Sequence, residues 1–118
     1  IINRSGGRLL LERWKADADE RLDESSEVDV SIDCVRRAVP PGGKVVLEPG
    51  ESITLPPYLY HKFYAEAGSG MVLGGEVSRV NDDARDNRFL EKLPRFPAIE
   101  EDEPARYCLC TEYPPART

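Results

Sequence analysis

The stretch Gly50-Glu51-Ser52-Ile53-Thr54-Leu55-Pro56-Pro57-Tyr58-Leu59-Tyr60-His61 decides how the rest of the chain is read. Ile53 and Leu55 stand two apart and so fall on one face of an extended segment. Pro49-Gly50 supplies the turn before them. Pro56-Pro57 ends the ladder, because proline has no backbone N–H to donate. The segment that follows is aromatic, with Tyr58, Tyr60, Phe63 and Tyr64 around His61, the single histidine of the chain. Short runs between such stops read as strands of an all-β fold.

The same period of two recurs in both directions. Val28, Val30, Ile32 and Cys34 alternate with Asp29, Ser31 and Asp33, the pattern of a strand with one wet face. Val45 to Leu47 is a further short strand. Met71 to Val80 reads as another, interrupted by Gly74-Gly75, and Tyr107 to Tyr113 as the last. Leu9 to Trp14 lies beside Gly6-Gly7 and is read as a strand from its surroundings. Lys15 to Glu27 and Arg85 to Leu93 are read as loops with a turn or two of helix. Pro40-Pro41-Gly42-Gly43, Gly68-Ser69-Gly70 and Asn81-Asp82-Asp83 punctuate the runs. Strands at this spacing predict a sandwich or barrel. With no repeat and no linker, residues 1–118 read as a single domain.

Composition narrows the function classes. The 118 residues are 40% hydrophobic, which suits a globular domain, and the formal net charge is −6. That charge argues against nucleic acid or an anionic membrane surface as a partner. Much of it sits in two acidic stretches read as solvated loops, one from Asp17 to Glu27 and one from Glu100 to Glu103. No apolar run approaches the length of a membrane helix. Cys34, Cys108 and Cys110 are an odd set for a disulfide framework, and Cys108-Leu109-Cys110 has one residue too few between its thiols for a zinc knuckle. They are read as small buried side chains in a reducing, cytoplasmic setting.

His61 is open to two readings, a core residue or a metal ligand, since a neutral imidazole in a dry aromatic pocket binds divalent first-row metals well. Glu76, beside Gly75, is the candidate acid or base, because an adjacent glycine lets a ligand approach closely. Asn81, Asp82, Asp83, Asp86 and Asn87 offer the hydrogen-bonding groups that a polyol needs. Arg88 and Arg95 are candidates to orient these carboxylates or to bind sugar oxygens. Trp14 and Phe63 suit the apolar side of a sugar or simple core packing.

Gly50, Pro56 and His61 fit the second motif of the cupin barrels: glycine, five residues, proline, one residue, glycine, two residues, histidine. Tyr58 stands at the second glycine. The blocks Ile1 to Arg4, Leu47 to Pro57, Gly75 to Ser78, Val80 to Asp83, Asp86 to Phe89 and Ile99 to Pro104 together resemble the cupin-type D-lyxose isomerases, nearly end to end. The resemblance implies a cupin-like (double-stranded β-helix, jelly-roll) barrel. It implies a metal-dependent aldose–ketose isomerase using Mn2+, with other divalent metals as alternatives, and His61 as one ligand. The small-molecule sugar pairs would be D-lyxose with D-xylulose and D-mannose with D-fructose, by proton transfer through an enediol. In the resembling proteins two histidines, a lysine and a glutamate precede the point matching Gly6. The chain is thus expected to be N-terminally truncated, inactive alone, and left with an open sheet edge that favours a homodimer or a further segment. The alternative is a non-catalytic cupin module that binds a sugar or mediates oligomerisation.

Overall fold

The structure, a computed structural model, describes residues 1–80, 82, 85–91, 100, 102–109 and 112–115. Nine strands follow in order: β1 (Ile2–Gly6), β2 (Leu9–Ala16), β3 (Leu22–Asp23), β4 (Val28–Ile32), β5 (Val35–Val39), β6 (Lys44–Leu47), β7 (Ile53–Thr54), β8 (Leu59–Ala65) and β9 (Val72–Gly75). All named pairings are antiparallel. The two stretches read as loops with helical turns hold no helix among their described residues.

β2 is the hub. It pairs with β6 on one side and with β8 along seven residues on the other, while β3 meets its far end. β4 lies between β5 and β7 in a second sheet. The inward residues of the two sheets make the core: Leu9, Leu11, Val45 and Leu47 from the first, Val28, Val30, Ile32 and Ile53 from the second. Facing sheets with alternate residues inward are the packing of a sandwich, which fits the cupin-like reading. β1 runs beside the Gly50–Ile53 segment, with Asn3 N donating to Glu51 O at 2.9 Å and Gly50 N to Asn3 O at 2.7 Å, and pairs β9 on its other side. Asn3 is fully buried, and its Nδ2 donates to the carbonyls of Gly7 and Leu47, each at 2.9 Å. One side chain thereby ties β1 to the following turn and to β6.

The motif turns have their physical explanation. Gly50 adopts φ 99°, where glycine carries no Cβ penalty. Tyr58, at the second glycine of the motif, adopts φ 59°. A left-handed residue with a Cβ costs about 1–2 kcal/mol, and the Tyr58 ring stays in solvent rather than adding a clash.

Four expectations are corrected. Asp33 and Cys34 take φ 44° and 68°, the two positive values of a two-residue hairpin turn, so Ile32 pairs with Val35. Cys34 is therefore an exposed turn residue and not an inward strand residue, and Cys108 is exposed too. Cys110 lies outside the described residues. The strand expected from Met71 to Val80 is confined to Val72–Gly75. Tyr107 to Leu109 form no strand and are exposed, because no described neighbour offers them a ladder.

Candidate functional site

Residues directly opposite in an antiparallel pair share a face. The β2–β8 register therefore sorts the side chains. Arg13 lies opposite His61, Leu11 opposite Phe63, and Lys15 opposite Leu59, all on the inner face with the core leucines. Glu12 opposite Lys62, Trp14 opposite Tyr60, and Leu10 opposite Tyr64 take the outer face. The second sheet covers the inner face of β2 but not all of β8. His61 is exposed and Phe63 is 48% exposed. The dry aromatic pocket expected around the imidazole is not what the described residues build: the ring points to the core side yet sees solvent. Its Nδ1 lies 3.1 Å from the Leu59 carbonyl.

A cleft of about 1150 Å3 runs along β8. Segment 85–91 forms its far wall, and the cleft is lined by Asp86 and Asn87, by Trp14 and Tyr60 of the outer face, and by His61, whose side chain alternates to the inner face. Two polar contacts brace the rim: Tyr60 OH donates to Glu20 O at 2.7 Å, and Arg88 Nε to Glu20 Oε2 at 3.3 Å. Arg88 is thus engaged with Glu20 and, through Nη1, with the carbonyls of Arg85 and Asn87. Asp86 Oδ2 accepts from Asp82 N at 2.7 Å, a local turn contact. Asp82 does not line the cleft. Glu76 lies one residue past β9, exposed, and is also absent from the cleft wall. Its strand belongs to the β1–β9 sheet rather than to that of His61. Asn81, Asp83 and Arg95 lie outside the described residues.

The outer face carries a small charge network. Glu12 accepts from Tyr64 OH at 2.5 Å and pairs with Lys62 Nζ at 3.0 Å, and the same ammonium sits 5.9 Å from the Trp14 ring centroid. The Tyr64 hydrogen bond, and after it Lys62, hold the Glu12 carboxyl below its ordinary value, while Glu12 pushes the Tyr64 phenol up. A depressed carboxyl contributes stability that is complete above its unfolded pKa of 4.5 and lost as pH falls through the folded value. Tyr64→Phe is expected to move the Glu12 titration upward, read by carboxyl carbon NMR between pH 2 and 6. An unmoved midpoint would show that the bond has no such effect.

The residues described do not fit a metal centre by themselves. Among them no three of His, Cys, Asp and Glu cluster at ligand distance, and one exposed imidazole holds a divalent ion weakly.

Sequence reading passed over Arg13. It follows Leu9 and Leu11 at the next inward position of β2, and a charge at such a position was the available signal. It is fully buried, and burial pulls its guanidinium pKa down. Nη2 reaches the Gly43 carbonyl at 3.3 Å, while Nε and Nη1 meet no partner.

Residues 1–113 match a family described as D-lyxose isomerase. Over 113 residues the chain is 55% identical to a protein of Escherichia coli O157:H7 named D-lyxose/D-mannose isomerase, and 51% identical to a protein of that name from Serratia proteamaculans. Each match covers 96% of this chain and 49% of the relative, so the chain spans about half the length of the curated relatives it matches.

Proposed function

The chain belongs to the D-lyxose isomerase family, and from that premise we propose that it works in aldose–ketose isomerisation of a small sugar. The reaction proposed interconverts D-lyxose with D-xylulose and D-mannose with D-fructose, moving a proton between adjacent carbons through an enediol. The 55% identity to the E. coli relative carries this reading. The cleft beside β8 supports it. Asn87 and Asp86 offer donors and acceptors for hydroxyl groups, and Trp14 and Tyr60 offer ring faces for the C–H side of a sugar. Glu76 is the proposed acid or base, assigned on its residue type beside Gly75. Asn81, Asp82 and Arg95 complete the proposed polyol-binding set.

Metal dependence, with Mn2+ as the ion, belongs to the proposal as well. In it His61 is a single ligand, and the remaining ligands come from outside the described residues. Homodimerisation through the open side of β8, which pairs only with β2 among the described strands, is the proposed assembly. A cytoplasmic location is proposed too, in keeping with the free thiols of Cys34 and Cys108. No described helix is long and apolar enough to cross a membrane. The lone imidazole favours a second reading, a sugar-binding or assembly module without catalysis.

Ketose formation from D-lyxose and D-mannose separates the two. It is to be measured with Mn2+ for this chain alone, and for this chain co-expressed with the stretch that the E. coli relative carries outside the match. Ketose in either sample supports the isomerase. A folded, sugar-binding but inert protein in both would leave only the module.

A further inference from the structure

Arg13 is the only fully buried charged side chain among the described residues. A guanidinium keeps its proton in proteins, and an unpaired ion removed from water carries a penalty of several kcal/mol. Here one long bond to Gly43 O is the sole polar contact, and Nε and Nη1 are closed off with nothing to donate to. The surrounding inner face carries one further formal cation, Lys15, which lines a pocket together with Asp29. Its inward positions on β2 and β8 are Leu9, Leu11, Arg13, Lys15, Leu59, His61, Phe63 and Ala65, with no acid among them. The residues opposite and next to Arg13 across the register, His61 and Phe63, are exposed, so the side of β8 is where this face lies nearest solvent.

We propose that the inner face around Arg13 is a carboxylate-binding site, where an incoming carboxylate meets the unpartnered guanidinium N–H groups. The site is independent of the isomerase reading. Two sources share the chemistry: a free small carboxylate, and an aspartate or glutamate in the stretch that the matched relatives carry outside the shared 113 residues.

Formate is a probe small enough to enter, and chloride at equal ionic strength is its control. In the isotope-labelled chain, the Arg13 Nε–H signal is expected to move downfield saturably with formate and not with chloride. The melting temperature of the parent is expected to rise by about 4 °C at saturation, and that of Arg13→Met to stay unchanged. An Nε–H signal indifferent to formate, or an equal thermal response in Arg13→Met, overturns the proposal. The signal is read on the parent chain, so it stands even if the variant fails to fold. Co-expression with the unmatched stretch of the E. coli relative distinguishes the sources. A protein carboxylate leaves the signal already downfield and deaf to formate, whereas a free ligand leaves the formate response intact.

Discussion

Leu47→Ala is expected to destabilise the chain by about 3–5 kcal/mol, read as a lower urea midpoint at unchanged slope. Leu47, on β6, is fully buried, lies opposite Leu9 of β2, and belongs to a core cluster of eight buried apolar residues among the described residues, with five partly buried ones packed against it. So few neighbours cannot close over the lost methyl groups without opening contacts elsewhere, and the cavity adds to the lost transfer energy. The Leu47 carbonyl also accepts from Asn3 Nδ2, so any shift of β6 strains the side chain that ties β1 down. A domain of this size has about 5–15 kcal/mol to lose, and the variant is expected to be substantially unfolded at body temperature. Val46→Ala is the control. Val46 is one residue away, 42% exposed, on the opposite face, and is expected to change stability by less than about 0.5 kcal/mol. Equal losses at both positions would mean that the β2–β6 register described here is wrong, since a one-residue slip exchanges the two faces.

The contrast between these neighbours is also why much of the fold was legible. Val28, Val30 and Ile32 announce their burial by alternation, and Val45, Leu47 and Ile53 do so within a few residues of a turn signal. β1 was not legible, because Asn3, Arg4 and Ser5 give it no apolar period; it is held by pairing with β9 and by the buried Asn3 amide. β5 was hidden for a related reason. Arg36 and Arg37 are exposed on both faces of a strand at the rim of its sheet, and the hairpin leading into it uses Asp33-Cys34 where Asn-Gly would have marked the turn. Tyr107 and Leu109 failed in the opposite sense: they alternate, but alternation makes a strand only where a neighbouring ladder exists. The site shows the same limit. The step from Gly50 to His61 fixed which strand carries the imidazole, and the pleat fixed its face. Whether that face is covered depends on chain far away in sequence, which no local pattern encodes. Glu76 was singled out by its neighbour Gly75, and that local signal says nothing of its distance from His61, since β9 crosses to pair with β1.

If the proposed isomerisation holds, His61→Ala is expected to lower kcat/KM for D-lyxose by about 100-fold or more in whichever sample forms ketose, whether the imidazole binds metal or moves a proton. It is the single imidazole of the chain and lies on the core side of the strand that walls the cleft, so no other residue of this chain supplies one. The proposal commits it to the metal, which makes the accompanying observations distinct. The Mn2+ dissociation constant should rise in parallel with the loss, and excess Mn2+ should restore part of the rate. If His61 carried a proton instead, Mn2+ affinity would be unchanged and one limb of the pH–rate profile would vanish. Glu76→Gln serves as the complementary variant: kcat should fall while Mn2+ affinity and KM hold, as for a group that acts only in the transition state. Asn87→Ala should do the reverse, raising KM by about 10-fold with kcat kept, since it removes one or two ordinary hydrogen bonds to a hydroxyl. A His61→Ala protein with undiminished turnover would detach the imidazole from the reaction and leave the cleft as a binding groove alone. A Glu76→Gln protein with undiminished kcat would move the acid or base onto one of the two carboxylates that line the cleft with His61 from segment 85–91, Asp86 or Glu91.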